Sequence, residues 1–179
     1  MIIPVITIDG PVGTGKSSVA CSVANKLGFN YLNSGVLYRV AASYVLRKTF
    51  FETQIEQIIA ALLKDKIIFE FNRDHPDGYI ISCNGKNISD EVTSQEAGAL
   101  ASKMSQSEKL REALIEKQRS YAIAPGLVTD GRDMGSTIFP NASTKVFLTA
   151  IPEARAQRIY QQLINKGVDV NIDKVREDI

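Results

Sequence analysis

The residues from Gly10 to Ser17 have the types and the spacing of a phosphate-binding loop. They match the pattern G-x-x-x-x-G-K-[ST], which follows a strand and opens a helix. Glycines let backbone N–H groups converge on phosphate oxygens, and the start of a helix adds the positive end of its dipole. The sequence therefore predicts a nucleoside triphosphate site. In it, Lys16 supplies a mobile positive charge and the Ser17 hydroxyl is the expected Mg²⁺ ligand.

Two further polar segments are candidates for holding a phosphate acceptor. The first runs from Asn33 to Arg39 and the second from Asp130 to Gly135. Both follow short predicted strands, and ligands of open α/β sheets bind beyond the carboxyl ends of the strands. Arg39 and Arg132 could each clamp a phosphate through forked hydrogen bonds. Structural roles stay open here: a surface ion pair for Arg39, and salt bridges to the flanking aspartates for Arg132.

The composition excludes several other kinds of chemistry. The chain has 179 residues with 21 basic and 20 acidic side chains, so its net charge of +1 creates no broad field that would attract nucleic acid. No apolar run reaches the ~20 residues of a membrane helix, so we expect no membrane partner. The single histidine, His75, excludes motifs that need two. Cys21 and Cys83 are too few for a thiolate metal site, which favours free thiols and a cytoplasmic location.

Alternating strand and helix patterns predict an α/β fold, a P-loop three-layer α/β/α arrangement around a central parallel sheet. The first strand is predicted at Val5–Ile8, and Gly28 is placed to end the helix that follows the phosphate loop. An apolar stripe at helical spacing predicts which face of that helix is buried. Its members are Val19, Ala20, Val23, Ala24 and Leu27. A later strand, also expected to be buried, is predicted at Lys145–Thr149.

The middle of the chain departs from this alternation. Ile67–Phe71 and Tyr79–Cys83 are followed by Asn84-Gly85, the strongest short hairpin signal, and by a third strand from Lys86. The pattern predicts a small antiparallel insertion. The two helices that come next are expected to begin with capping boxes at Thr93 and Ser105.

These segments together resemble bacterial cytidylate kinases, a family of P-loop nucleoside monophosphate kinases. The resemblance runs from residue 4 to residue 179. It is carried by Ile8–Pro11, Asn33–Arg39, Arg111–Leu114 with Gln118 and Arg119, and Asp130–Gly135 followed by Phe139 and Pro140. It implies transfer of the γ-phosphoryl group of ATP, with Mg²⁺, to CMP or dCMP. It also implies a nucleoside monophosphate-binding insertion at residues 67–126 within a P-loop core of residues 1–66 and 127–179, which includes the start of a lid.

The resemblance further implies a role for individual residues. Lys16, Arg132 and Asp130 would be catalytic, and Asp130 would help to orient Mg²⁺ and its waters. The monophosphate pocket would comprise Ser34, Arg39, Ser102, Arg111, Arg132 and Asp133, with Ser102 and Asp133 helping to read the cytosine edge. ATP would contact Gly10, Pro11, Val12, Gly13, Thr14, Gly15, Lys16, Ser17 and Ser18, and the lid arginines Arg155 and Arg158. The family often has Asp where this chain has Asn33, and its members continue for several dozen residues beyond position 179.

Two other functions stay open at this point. A P-loop kinase for another acceptor, such as UMP, AMP or a small alcohol, would use the same loop, but an alcohol needs a base and only Asp130 or Asp133 is available. A nucleotide-dependent switch without turnover would want a guanine-selective motif such as NKxD, and the segment from Asn25 to Gly28 lacks its aspartate. Phosphoryl transfer to an anionic acceptor needs no histidine base. We expect a monomer.

Overall fold

The computed structural model of the protein describes residues 3–165, 167–177 and 179. The elements in chain order are β1 (Val5–Asp9), α1 (Lys16–Leu27), β2 (Asn30–Asn33), α2 (Ser34–Leu46), α3 (Ile55–Lys64), β3 (Ile67–Phe71), β4 (Tyr79–Cys83), β5 (Lys86–Asn87), α4 (Ser89–Thr93), α5 (Gln95–Met104), α6 (Glu108–Arg119), β6 (Leu127–Gly131), a π-helical turn (Met134–Ile138), β7 (Thr144–Phe147), α7 (Pro152–Asn165) and α8 (Ile172–Glu177). None of the helices in these ranges is both long enough and apolar enough to span a bilayer.

A four-stranded parallel sheet forms the centre of the molecule, in the order β2-β6-β1-β7. Helices pack around it, which confirms the predicted α/β fold. The register places Ile8 of β1 and Asn33 of β2 on either side of Asp130 in β6. Because parallel strands all end at the same edge, the phosphate loop after β1 and the segment after β6 are neighbours.

The edge strand β7 differs from the prediction. It covers Thr144–Phe147 rather than Lys145–Thr149, and all four of its residues are exposed rather than buried. The reason is its place in the sheet, since β7 pairs with β1 on one side only among the described residues. Its last residue, Phe147, is 70% exposed.

Helix α1 buries a narrower face than its apolar stripe predicts. Ala20 and Ala24 are buried together with Cys21, whereas Val19 and Leu27 are 44% and 50% exposed. Small side chains allow the helix axis to come close to the sheet, and the larger valine and leucine then lie at the margin of the contact. The predicted end of the helix is confirmed, because Gly28 has φ +65° and its N–H bonds to carbonyls of the last turn.

The antiparallel insertion is confirmed as a three-stranded sheet in the order β3-β4-β5. Asn84 and Gly85 both have positive φ, +51° and +81°, as the predicted two-residue hairpin turn requires. One face of the sheet carries aromatic rings that pack against Tyr31 of β2. The ring centroids of Phe69 and Tyr79 lie 5.9 Å and 5.0 Å from that of Tyr31. The insertion is thereby seated on the parallel sheet.

The two predicted capping boxes are wrong by one or two residues. Ser94 caps α5 by accepting a hydrogen bond from the N–H of Ala97 at 3.1 Å, and Ser107 caps α6 in the same way. Thr93 is the last residue of α4, and Ser105 follows the end of α5. At each helix start a serine one or two residues after the predicted cap is the acceptor, and neither serine has a glutamate three residues later.

Candidate functional site

The phosphate loop leaves β1 and folds back over the start of α1. Gly13 and Gly15 have φ of +79° and +88°, which favour glycine. A Cβ at Gly13 would also lie 2.9 Å from the carbonyl oxygen of Arg155, so the loop has no room for a side chain there. Lys16 Nζ reaches back to the carbonyl oxygen of Pro11 at 3.3 Å, and its charge therefore lies over the loop.

The carboxylate of Asp130 meets this loop at the end of β6. Ser17 Oγ and the hydroxyl of Tyr31 each donate a hydrogen bond to one of its oxygens, both at 2.7 Å. Asp130 is buried, with only 1% of the residue exposed. Burial raises the pKa of Asp130 to about 6, while the two hydrogen bonds and the charge of Lys16 act in the opposite direction. The structure thus brings together the predicted Lys16, Ser17 and Asp130.

Two residues next to Asp130 are ones that the sequence interpretation missed. Tyr31 bonds the carboxylate directly, and Tyr79 accepts a hydrogen bond from Asn33 Nδ2 at 3.3 Å. The same amide donates to Ser17 Oγ, also at 3.3 Å. Strand alternation places Tyr31 and Asn33 on one face of β2, and that alternation was the available signal for Tyr31. Tyr79 reaches the site only through the packing of the insertion, which leaves no local signal.

Positive charge gathers around Lys16. Burial lowers the pKa of Lys16 most, the charges of Asp130 and Asp9 oppose that shift, and the nearby charges of Arg132 and Arg155 add to it. Arg132 is exposed. A group of cations that repel one another beside a phosphate loop is arranged to receive a polyanion.

A cavity of about 180 Å³ lies beside the second predicted segment. Across it, Arg111 Nη2 forms an ion pair with Asp133 Oδ2 at 2.8 Å. Gln118, another residue that sequence reasoning assigned no role, is buried and accepts a hydrogen bond from Ser34 Oγ at 2.8 Å. Tyr38 lines the cavity as well. A guanidinium and a carboxylate facing one cavity offer both donors and acceptors to a polar ring.

Comparison with known proteins decides the family. The family model described as cytidylate kinase matches residues 6–179. The chain belongs to the cytidylate kinase family. The cytidylate kinase of Colwellia psychrerythraea is 43% identical over 176 residues, covering 98% of this chain and 77% of that protein. That of Bordetella pertussis is 43% identical, with 98% and 76% covered. Among solved structures, the crystal structure of TT1252 from Thermus thermophilus matches with a TM-score of 0.44 and 18% identity, covering 99% of this chain and 80% of that one.

Four of the six residues expected in the monophosphate pocket are not among those that line the cavity: Ser34, Arg39, Ser102 and Arg132. Arg39 Nη1 donates to the carbonyl oxygens of Val92 and Ser94 at 2.9 Å and 3.2 Å, which contradicts the surface ion pair considered for it. Burial lowers the pKa of Arg39, and Tyr79 and Asp77 oppose that shift. Ser102 is exposed on α5 and is not among the residues that line the cavity.

The two predicted lid arginines lie against the phosphate loop. Arg155 Nε donates to the carbonyl oxygen of Val12 at 2.8 Å, and Arg158 Nη1 donates to that of Thr14 at 2.8 Å. Their helix α7 therefore rests directly on the loop. Ser18, in the first turn of α1, is exposed.

Proposed function

We propose that the chain transfers the γ-phosphoryl group of MgATP to CMP or dCMP, giving ADP and CDP or dCDP. Membership of the cytidylate kinase family supports the reaction. The observation that assigns the reaction to residues of this chain is the contact between the phosphate loop and the segment after β6. Gly10 N–H donates to the carbonyl oxygen of Gly131 at 3.3 Å, so the phosphate loop and the segment with Arg132 and Asp133 begin side by side.

The mechanism is positioning combined with charge neutralisation. The acceptor is a phosphate that is already anionic, so no side chain has to remove a proton from it. Lys16 and Arg132 act on the charge of the transferring group, and the backbone of the phosphate loop holds the donor. Arg155 and Arg158 exchange loop carbonyls for phosphate oxygens when ATP binds.

The residues around Ser17 suit Mg²⁺. A hydroxyl and a buried carboxylate are hard oxygen donors, and Ser17 and Asp130 lie 2.7 Å apart. Within the described ranges no group of three or more His, Cys, Asp or Glu side chains gathers, and an ion held largely by phosphates and water needs none. Ser17 would hold Mg²⁺ and Asp130 would orient its waters. Bound there, the ion would neutralise charge on the donor phosphates.

The acceptor side is divided between two groups of residues. Asp133 and Arg111 read the cytosine edge from the cavity, and Ser34 is held by Gln118. Arg39 and Ser102 join the pocket when the insertion and α7 move inward, because a kinase must exclude water from the donor. X-ray scattering of the protein with and without a bisubstrate analogue tests this closure, and identical profiles would contradict it.

The setting proposed for this kinase is a monomer in the cytoplasm. The two cysteines, Cys21 and Cys83, are free and buried, which supports a reducing compartment. Sedimentation of the purified chain measures the oligomeric state, and a dimer at micromolar concentration would contradict the proposal.

The deciding experiment measures nucleoside diphosphate formation from ATP with CMP, dCMP, UMP, AMP and shikimate in parallel. We expect CMP and dCMP to give the largest kcat/KM. A preference for UMP or AMP would move the assignment to another nucleoside monophosphate, and phosphorylation of shikimate would move it to an alcohol. ATP or GTP binding without any transfer would favour a switch.

A further inference from the structure

Asp9 joins the two loops through its side chain. It is the last residue of β1 and directly precedes Gly10, the first residue of the phosphate loop. Asp9 is 7% exposed, and its carboxylate accepts two hydrogen bonds, from the N–H of Met134 to Oδ1 at 2.9 Å and from the N–H of Gly135 to Oδ2 at 2.8 Å. Neither bond is local, because the partners are 125 and 126 positions away in sequence.

These two N–H groups open the π-helical turn that follows Arg132 and Asp133. The first groups of such a turn have no partner inside it, so a carboxylate that accepts both fixes where the turn begins. The turn is also seated tightly on β1, since a Cβ at Gly135 would lie 2.6 Å from Thr7 Oγ1. The carboxylate of Asp9 and the body of its strand thus hold the turn in one place.

We propose that Asp9 is a positioning residue, which aligns Arg132 and Asp133 with the phosphate loop so that acceptor and donor meet in line. This inference rests on the function proposed above. Asp9 itself touches neither substrate. Its effect passes through the backbone of Met134 and Gly135 to the two preceding side chains, of which Asp133 forms the ion pair with Arg111 that faces the cavity.

A purely electrostatic role for Asp9 predicts the opposite result. Asp9 is a negative charge near Lys16, and removing it would make the site more positive and strengthen the binding of anionic nucleotides. Loss of positioning would instead weaken the binding of the acceptor CMP and leave the binding of the donor ATP unaffected. The sign of the change in KM for CMP therefore separates the two roles.

The test is Asp9→Asn, which keeps the size of the side chain but presents an NH₂ group to one of the two N–H donors. We expect KM for CMP to rise about ten- to hundredfold with a lower kcat, while the dissociation constant of ATP changes less than about threefold. The preference for CMP over UMP should also fall, because Asp133 loses its fixed position. Calorimetric titration with ATP shows at the same time that the variant is folded.

Asp74→Asn is the matched control. It makes the same carboxylate-to-amide change at an exposed position in the insertion. It should leave the KM for CMP and the dissociation constant of ATP unchanged. Asp9→Ser, which retains a shorter acceptor, is the second variant if the asparagine form does not fold, and the same split between CMP and ATP is expected.

Three outcomes would overturn the inference: an unchanged KM for CMP, a lower one, or equal losses for CMP and ATP. The proposed function is judged separately by the unmodified chain. If it makes CDP and Asp9→Asn behaves like Asp74→Asn, only the role of Asp9 fails. If the unmodified chain makes no CDP, the function itself fails.

Discussion

The carboxyl edge of the parallel sheet and the antiparallel sheet of the insertion contact each other, but the first is lined by charged side chains and the second by aromatic rings. At the edge, two carboxylates are buried and every one of their oxygens accepts a hydrogen bond, at Asp9 and at Asp130. The insertion presents aromatic faces, and the Tyr79 hydroxyl at its margin meets Asn33. This difference indicates that catalysis and folding can be perturbed separately. Substitutions at the carboxyl edge should change turnover, and substitutions in the insertion should change stability.

Lys16→Met should give the largest effect. It removes the positive charge that lies over the phosphate loop, and we expect kcat to fall by about a thousandfold while the melting temperature changes little. Steady-state CDP formation measures the loss. Lys26→Met, at the exposed end of α1, is the control and should keep full activity. Turnover that survives in Lys16→Met would remove this lysine from the mechanism.

Arg132→Ala should come next. We expect kcat to fall about a hundredfold with ATP binding nearly intact, because the role proposed for Arg132 is on the transferring group and the acceptor rather than on the loop. Calorimetry measures the affinity for ATP, and steady-state kinetics with CMP measures kcat. Arg73→Ala, an exposed arginine in the insertion, should change neither. A large loss of ATP affinity would instead assign Arg132 to the donor.

Asp130→Asn tests whether the buried carboxylate at the carboxyl edge of the sheet lowers the stability of the folded protein. The pKa of Asp130 is raised from 3.8 to about 6, so the folded state disfavours the ionised carboxylate. The stability associated with the protonated form is complete below about pH 4 and is lost as the pH rises through about 6. We therefore expect the variant to be more stable than the parent at pH 7, by on the order of 1–3 kcal/mol, with much lower turnover.

Urea unfolding at pH 5 and pH 7 without nucleotide checks this expectation, since the advantage of Asp130→Asn should grow with pH. Asp74→Asn, at an exposed position in the insertion, should alter the free energy of unfolding by less than about 0.5 kcal/mol at either pH. A variant that is less stable than the parent at pH 7 would show that the bonds from Ser17 and Tyr31 outweigh the cost of burial.

Gly85→Ala should have the smallest effect, and it tests the other side of the comparison. Gly85 has φ +81° and an added Cβ would meet nothing within 4 Å, so the only cost is conformational, about 1 kcal/mol. Gly28→Ala is the matched change outside the insertion, because Gly28 has φ +65° and open space around it at the end of α1. Both should lower the melting temperature slightly and leave kcat unchanged. A fall in kcat for Gly85→Ala alone would couple the insertion to the chemistry.

The parts of the molecule that could be predicted from the sequence are those fixed by local rules. The phosphate loop, the Asn84-Gly85 hairpin and the end of α1 at Gly28 each depend on backbone conformations that few residues adopt. The helix starts at Ser94 and Ser107 were missed because neighbouring residues compete for the same capping role. The buried face of α1 was misjudged because hydrophobicity alone does not say how closely a helix approaches a sheet.

The site follows the same division. Lys16 and Ser17 belong to one continuous motif, and Asp130 ends a recognisable strand. Tyr79 reaches the site through contacts between elements far apart in sequence, and no spacing rule points to it. Gln118 belongs to a segment that carries the resemblance, but its hydrogen bond with Ser34 depends on how α2 and α6 pack. Arg39 shows the converse limit. It was recognised as part of the polar segment from Asn33 to Arg39, but its bonds to the carbonyls of Val92 and Ser94 depend on where α4 and α5 pack.

The tyrosine bonded to Asp130 has a practical consequence. The chain contains no tryptophan and six tyrosines, so its near-ultraviolet circular dichroism comes chiefly from tyrosine. Tyr31 donates to the carboxylate beside Lys16 and lies edge-on to Tyr79, an asymmetric and rigid setting for both rings. The protein therefore carries a built-in optical reporter at its donor site, and we expect the tyrosine signal to change when a nucleotide binds.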